Sequence, residues 1–544
     1  MWREAGPGLA GPPAIAEKPG DRDGTGVAMA GVMLAMSLSA SLLGLTASRV
    51  RVEVQAARGV PSFELVGLAE AAVRESRVRV KSALAQVGVD LSEYRIIVNL
   101  APADERKFGS GFDLAIAAAT LAALGAVPAE SIAGILFLGE LALDGGVHGV
   151  RGVLPKLLGL QRFVRGAVVP RENEHEAALV GGMDVRTVAT LGDLRAALGG
   201  DELPRAKPGP PADDAATLED LADVRGQSAA RRALEICAAG GHNLLFIGPP
   251  GAGKTMLARR MPSILPPLAA AESLEVTAIH SVAGALGGAR GLVRARPFRA
   301  PHHSTSEAGL VGGGDVPRPG EVSLAHHGVL FLDELPEFRR GALESLRQPL
   351  EDGSVTVSRA QGRATFPARP LLVGAMNPCP CGFHGDPSGR CECPPERVRA
   401  YRARLSGPLL DRIDAHVRLP PVAVGALRTA TRGEASTLVR ERVHRARQAQ
   451  LERKREHGLS ASLNAFLSAR DADRQVRLAP AAERLLASAV DRLGLSARAH
   501  GKVLRVARTI ADLAAREEVG PEHVAEAVGL RVLDRKSEAG VAAA

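Results

Sequence analysis

The chain has 544 residues, room for three to four domains at about 150 residues each. Lys plus Arg total 68 against 60 Asp plus Glu, a net charge of +8, and 46% of residues are hydrophobic; this excludes a disordered chain and permits, without showing, a nucleic-acid partner. Only 12 Phe, 2 Tyr and 1 Trp are present, which argues against recognition by base stacking, and five cysteines exclude a disulfide scaffold.

Residues 1–36 read as a disordered Gly/Pro-rich leader, with Met33 and Met36 as alternative starts. Residues 24–48 carry no charge. Gly, Ser and Thr dilute that run and its upstream flank is of mixed charge, so it reads as neither signal peptide nor membrane span, and the chain is placed in the cytoplasm. From 37 to 200 strand and helix patterns alternate. Val50–Val54 is a strand, Leu68–Val87 an amphipathic helix stopped by Gly88, Arg95–Leu100 a strand and Phe112–Leu124 an Ala-rich helix, which predicts an α/β or α+β domain. The stretch 201–217, with Pro204, Pro208, Pro210 and Pro211, is a helix-breaking linker. A second block covers 218–420 and a third, helical and Arg/Ala-rich, 421–544.

The second block opens with the strongest motif. Gly248-Pro249-Pro250-Gly251-Ala252-Gly253-Lys254-Thr255 fits G-x-x-x-x-G-K-[ST], after an apolar strand Asn243–Ile247 and before a helical run. Such a loop turns its backbone N–H groups toward phosphate. Lys254 is expected on the β- and γ-phosphates and Thr255 on Mg²⁺, so ATP and Mg²⁺ are the predicted cofactors. A second apolar strand, from Gly328, ends in Asp333 and Glu334. Asp333 is expected on Mg²⁺ and Glu334 as the group that polarises water. Residues 352–366 read as a hairpin, with Val355–Val357 alternating and Gln361-Gly362 at the turn. A third apolar strand, from Leu371, ends in Asn377.

Cys379, Cys381, Cys391 and Cys393 flank a Gly/Pro-rich loop. Four thiolates suit tetrahedral Zn²⁺. The C-x-C spacing leaves open four packed or redox-active thiols instead. Cys237 stands alone on a helix and is expected in the core. In the third block Arg440, Arg442, Arg445, Arg447, Arg453, Lys454 and Arg455 form a basic run, either a DNA contact or a solvated helix face.

Several longer pieces are more specific: Arg299-Ala-Pro-His-His-Ser304, Val311-Gly-Gly-Gly314, Pro317-Arg-Pro-Gly-Glu321, Leu346 to Gly353, Asn377-Pro-Cys-Pro-Cys-Gly382 and Ser406 to Asp414. With them the chain resembles, from about 37 to 535, the YifB/ComM family of magnesium-chelatase-like AAA+ ATPases. The resemblance implies an α/β architecture: an N-terminal Lon-protease-like α+β domain of the ribosomal-protein domain-2 type (37–200), an AAA+ P-loop core with a parallel sheet (218–420) and a C-terminal helical lid (421–544). It implies Asn377 as sensor 1, Arg412 as a finger reaching a neighbour's γ-phosphate, and Arg498 as sensor 2 on the lid. A trans arginine implies a ring, in this family a hexamer. The hairpin matches the pre-sensor-1 hairpin of related helicases, with Arg359 and Arg363 near its tip placed on DNA phosphates; a hairpin that only packs between subunits is the alternative. His302 and His303 fall in the helix-2 insert region, in a structural or polymer-contact role.

Gly139–Val150 and Val168–Asn173 are similar to the Lon protease domain. Its Ser position falls on Gly111 and its Lys position on Leu154, so the catalytic dyad is absent, with Ser110 and Lys156 displaced by one and two residues. The domain is expected to be a structural or partner-binding collar. The implied activity is an ATP-driven helicase or branch-migration motor in recombination of incoming DNA, with a magnesium-chelatase motor subunit, a protein remodeller and a nucleotide-gated scaffold as rivals.

Overall fold

A computed structural model gives the fold for residues 32–67, 71–104, 106–109, 111–210, 218–286, 291–359, 362–386, 389–421 and 432–534. The N-terminal unit is built on nine strands: β1 (Val32–Leu43), β2 (Thr46–Arg58), β3 (Ser62–Val66), β4 (Tyr94–Ala101), β5 (Ile135–Phe137), β6 (Glu140–Leu141), β7 (Val147–His148), β8 (Gly166–Pro170) and β9 (Asp184–Val188). Seven of them form one sheet in the order β3-β4-β2-β1-β5-β8-β9, and β6 pairs with β7.

The expected leader is too long at its C-terminal end. Strand β1 begins at Val32 and pairs antiparallel with β2 along its whole length, from Val32↔Ala57 to Leu43↔Thr46. Its serines, which diluted the apolar run, are buried and bonded. Ser37 Oγ donates to Ala115 O at 2.8 Å and Ser39 Oγ to Phe137 O at 3.0 Å. Residues 32–43 of the uncharged run are thus a central strand, satisfied between β2 and β5. Among the described residues no helix is long and apolar enough to cross a membrane. The predicted helix at Leu68–Val87 is observed over Ala71–Gln86, with 68–70 outside the described residues. The helix Asp113–Ala123 is buried along its full length, and Asp113 in its first turn is held by Arg79 Nε at 2.6 Å.

The second unit contains β10 (Leu244–Ile247), β11 (Phe298–Arg299), β12 (Gly312–Gly313), β13 (Arg318–Pro319), β14 (Val329–Leu332), β15 (Ser354–Arg359), β16 (Gly362–Pro367), β17 (Leu371–Met376) and β18 (Ala415–Arg418). Five form a sheet ordered β11-β14-β17-β10-β18 in which every pairing is parallel. Strands β10, β14 and β17 are buried at every position, as a sheet covered on both faces requires. Their C-terminal ends lie side by side, the place where parallel α/β sheets hold ligands. Pairs β12–β13 and β15–β16 are separate two-stranded ribbons.

Helices Ser436–His457, Ala469–Gln475, Pro480–Leu493, Ala497–Leu513 and Pro521–Gly529 follow. The first buries Val439, Val443 and Ala446 in the core of the second unit. The rest bury Leu486, Val503 and Ile510 around Ile236. This packing corrects the basic-face expectation. Arg442 pairs with Glu235 and Glu434, Arg447 donates to Ala238 O at 2.9 Å and 2.7 Å, and Arg453 pairs with Asp512. Arg442 and Arg447 fasten the lid to the core, and Arg453 ties two lid helices together; Arg445 and Arg455 remain exposed.

The N-terminal unit meets the second directly. The buried Glu176 carboxylate accepts from Ser281 Oγ at 2.6 Å, and Gly152 N–H donates to Ser281 O at 3.2 Å. Ser281 lies on the helix Ala270–Ala283 of the second unit.

One buried group makes stability depend on acid. His416 in β18 is fully buried and neither ring nitrogen has a hydrogen-bond partner among the described residues. Burial, then Arg531 and Lys502, push its pKa down to about 3. The imidazole is therefore neutral in the fold, and the unfolded chain takes up a proton the fold refuses as pH drops below about 6.5. The stability this contributes is complete above that pH and is lost as pH falls toward the folded value. The His416→Leu variant is expected to lose less melting temperature than the parent between about pH 7.5 and about pH 5, measured by thermal denaturation; an equal or larger loss would remove His416 from the acid response.

Candidate active site

The loop after β10 runs from Gly248 to Gly253 and enters the helix Lys254–Arg259. Gly251 (φ +76°) and Gly253 (φ +87°) take left-handed backbone that only glycine adopts cheaply. At Gly248 a Cβ would lie 2.8 Å from Leu419 O, so that position is closed to any side chain. Lys254 Nζ donates to Gly248 O at 2.6 Å, Pro249 O at 3.0 Å and Asn377 Oδ1 at 2.9 Å. Burial lowers its pKa, opposed by Asp333 and Glu334. Thr255 Oγ1 donates to Asp333 Oδ2 at 2.7 Å, and Asp333 Oδ1 accepts from Glu334 N–H at 2.9 Å. These contacts join the ends of β10, β14 and β17. The hydroxyl and carboxylate of Thr255 and Asp333 are hard oxygen donors, which fits them to Mg²⁺. The ion, when bound, neutralises charge on a transferring phosphoryl group.

Glu334 has φ +50°, and its half-exposed carboxylate stands 3.4 Å from His303 Nδ1. His303 reaches it because β11 lies beside β14 and the chain from Arg299 continues past the strand end. His302 stacks on His303 with ring centroids 4.0 Å apart. His303 thus sits at the Glu334 carboxylate with His302 against it, a contact that spacing along the sequence did not reveal. Tyr401 was also missed. It is buried on the helix Pro395–Arg402, and its hydroxyl accepts from the Asn377 N–H. Burial, with Glu337, pushes its pKa up to about 12, so it stays a neutral phenol.

Arg412 pairs with Glu351 and donates through Nη1 to Pro408 O at 3.0 Å. Arg498 is exposed and lies 3.5 Å from Asp411. Among the described residues, no hydrogen bond or ion pair joins either arginine to the P-loop of its own chain.

The hairpin is β15–β16, with 360 and 361 outside the described residues. Its register pairs Ser358 with Arg363 and Arg359 with Gly362. Alternation then puts Arg359 on the face of the buried Val355 and Val357, and Arg363 on the opposite face with Thr356 and Thr365. Both arginines are exposed, but they point apart, and Arg359 leans toward Gly313 of β12.

Cys379, Cys381, Cys391 and Cys393 are all free thiols whose sulfurs lie within 4.8 Å of one another. Sγ of Cys391 is 3.8 Å from that of Cys379 and 3.7 Å from that of Cys381, and Cys379 to Cys381 is 3.3 Å. Zinc–sulfur bonds of about 2.3 Å give tetrahedral edges of about 3.8 Å, so the donors fit a Cys₄ zinc centre. The His384 N–H points at Cys379 Sγ at 3.3 Å, and the Phe383 N–H holds the Cys381 thiol down to about 6. Cys237, by contrast, is fully buried on the helix Ser228–Gly240.

In the N-terminal unit a Cβ on Gly111 would stand 3.6 Å from Lys156 Nζ. The amine that belongs with position 111 is therefore Lys156, not the fully buried Leu154; Ser110 lies outside the described residues. Burial lowers the pKa of Lys156 to about 8. A base without a nucleophile at 111 has nothing to activate there.

Three family models match the chain: subunit ChlI of Mg-chelatase over 52–173, magnesium chelatase subunit ChlI over 220–427, and the ChlI C-terminal region over 433–531. Competence protein ComM of Haemophilus influenzae is 43% identical over 508 residues, 92% of this chain and 98% of its own. The uncharacterized protein YifB of Escherichia coli is 43% identical over 495 residues, 91% of this chain and 96% of its own. An uncharacterized protein of Mycobacterium tuberculosis is 47% identical over 500 residues, 92% of this chain and 98% of its own.

The Tyr401–Asn377 bond yields a test. Tyr401→Phe removes one hydrogen bond to the backbone that carries Asn377 and leaves the ring in place. Nucleoside-triphosphate turnover is expected to fall about 5- to 10-fold, the value of a single bond of roughly 1 kcal/mol, with little change in KM. An unchanged kcat in steady-state assays would show that Tyr401 does not position Asn377.

Proposed function

This chain belongs to the YifB/ComM family of magnesium-chelatase-like AAA+ ATPases, and from that premise we propose that it is an Mg²⁺-dependent ring motor that hydrolyses ATP to move along or remodel branched DNA during recombination. The observation that carries the ATPase reading is the joining of Lys254, Thr255, Asp333 and Asn377 across three adjacent strand ends. In the proposed cycle Lys254 binds the β- and γ-phosphates and Thr255 with Asp333 holds Mg²⁺. Glu334, oriented by His303, takes the attacking water, and Asn377 aligns that water with phosphorus. Arg412 supplies positive charge to the γ-phosphate of the next subunit, and Arg498 does so from the lid. No single subunit then holds a complete site, which is the case for a ring, hexameric by analogy with the family. One zinc ion in the four-cysteine loop completes the proposed cofactor set, and cysteines not joined in disulfides suit the cytoplasm.

The DNA part is supported by the exposed arginines of the hairpin and by the name of the Haemophilus influenzae relative, a competence protein. A second reading, a motor subunit for metal insertion into a porphyrin, draws on the ChlI family models. A protein remodeller is less supported, because residues 358–363 at the hairpin tip include no aromatic side chain.

The deciding measurement is the steady-state ATPase rate alone and with single-stranded, forked and four-way-junction DNA, with Lys254→Ala as the blank. Forks or junctions are expected to stimulate the rate. Arg363→Ala and Arg359→Ala are each expected to weaken DNA binding and to lower its salt slope by about 1. A clear basal rate indifferent to every DNA would overturn the DNA reading and favour the chelatase motor.

A further inference from the structure

We infer that the four-cysteine site is a working part of the ATPase: a zinc-type ion bound there holds Asn377 and the P-loop in register. The inference rests on the zinc reading above and adds what the ion does.

The chain path supports it. Strand β17 ends at Met376, Asn377 follows, and Cys379 is two residues further on. The second pair, Cys391 and Cys393, directly precedes the helix Pro395–Arg402. That helix returns to the same place. Tyr401 accepts from the Asn377 N–H, and Arg402 Nε donates to Pro378 O at 3.3 Å. Both ends of the loop therefore bear on Asn377, and an ion bridging the cysteine pairs ties the two ends together.

The loop also touches the phosphate-binding turn. A Cβ on Gly382 would lie 2.6 Å from Pro250 Cδ and 3.9 Å from Asn377 Cγ. Backbone next to Cys381 is thus pressed against the P-loop, with Asn377 beside it, and Asn377 is already bonded to Lys254. A shift of the cysteine loop therefore moves Asn377 relative to the phosphate-binding turn, which β10 and the helix Lys254–Arg259 anchor on their own account.

Little else fixes this loop. Among its described residues, 378–394 contain no helix or strand, and Cys379 is the one side chain there that belongs to the buried apolar set. Arg390 covers the Phe383 ring at 4.2 Å and pairs with Asp386 at 2.9 Å, but its own side chain is more than half exposed, which limits what either contact contributes. A loop with so little apolar burial cannot offset its own conformational entropy. Four sulfurs already gathered within 4.8 Å of one another can, once they share an ion.

The test uses the full-length chain. Zinc per chain is measured by mass spectrometry of the metal, ATP affinity by equilibrium binding of a fluorescent analogue, and kcat and KM by steady state. Cys393→Ser removes a ligand outside the buried core, whereas Cys393→His keeps a zinc donor. Near-stoichiometric zinc is expected in the parent and in Cys393→His. Cys393→Ser is expected to lose the ion and 10- to 100-fold in kcat while ATP affinity changes far less. A loop of merely structural value would lower kcat and binding together, or neither. If the parent holds no zinc yet turns over fully, the zinc reading fails and this inference with it. If Cys393→Ser is zinc-free, folded and fully active, the inference fails and the zinc reading stands. Should Cys393→Ser unfold, the parent is stripped with a zinc-selective chelator in excess Mg²⁺. A folded, stripped chain at full rate overturns the inference; lost turnover restored by added zinc supports it.

Discussion

Three parallel strands that end side by side set the terms for the rest of the molecule. Because β10 lies between β17 and β18 and β14 lies beyond β17, the phosphate loop, the Asp333–Glu334 pair and Asn377 leave the sheet at one edge. The Lys254 ammonium then meets Asn377, and Thr255 meets Asp333, without any helix having to be bent to bring them together. Burial disfavours the charge on Lys254, and the nearby carboxylates favour it. A polyphosphate with Mg²⁺ offers that ammonium a partner of higher charge than the backbone carbonyls it now contacts.

What the sequence showed of this site follows from contiguity. The P-loop, the two carboxylates and Asn377 each sit at the end of an apolar run, so motif and strand announce each other. His303 and Tyr401 carry no such signature, since a strand pairing and a returning helix bring them in from 31 residues before Glu334 and 24 after Asn377. The basic run in the lid was misread for the same reason. Glu235, Ala238 and Asp512, which take up Arg442, Arg447 and Arg453, are 207, 209 and 59 residues away. The opposite orientation of Arg359 and Arg363 was legible, because an even separation interrupted by a turn does not keep two side chains on one face of a hairpin. Strand β1 was not read as a strand: its first residues fell in the expected leader, and its serines looked like dilution until their acceptors were known.

The N-terminal unit is more than a neighbour of the motor. Leu43, the last residue of β1, and Leu45, in the turn that leads to β2, pack against the cluster that holds Val355, Val357, Ala364 and Phe366 of the hairpin. At Gly44, where φ is +66°, a Cβ would lie 3.2 Å from that of Ala364. The buried Glu176–Ser281 bond fixes the other side of the junction, where breaking it would leave a buried carboxyl short of a partner. A hairpin that swings during turnover must either carry the N-terminal unit with it or slide across the Leu43–Leu45 turn, and the latter exposes apolar surface. Under the ring reading, the collar and the pore elements then move as one body.

The arginines that the ring reading needs are held in ways that suit exchange. Arg412 is mostly shielded, but its partner Glu351 is largely exposed, and Arg498 and Asp411 form a wet pair at 3.5 Å. Such pairs contribute about 0–1 kcal/mol. A γ-phosphate presented by a neighbouring subunit carries more charge in a less hydrated place and accepts the same guanidinium through two oxygens. Under the ring reading, exchange of a carboxylate for a phosphate would cost little and gain more, and Arg412 would then report the nucleotide state of the next subunit. A finger locked in a buried pair could not do this, because leaving would strand a charge in the core. On that reading, the weakness of these pairs is the property that would let one chain serve both as a closed subunit and as part of its neighbour's site.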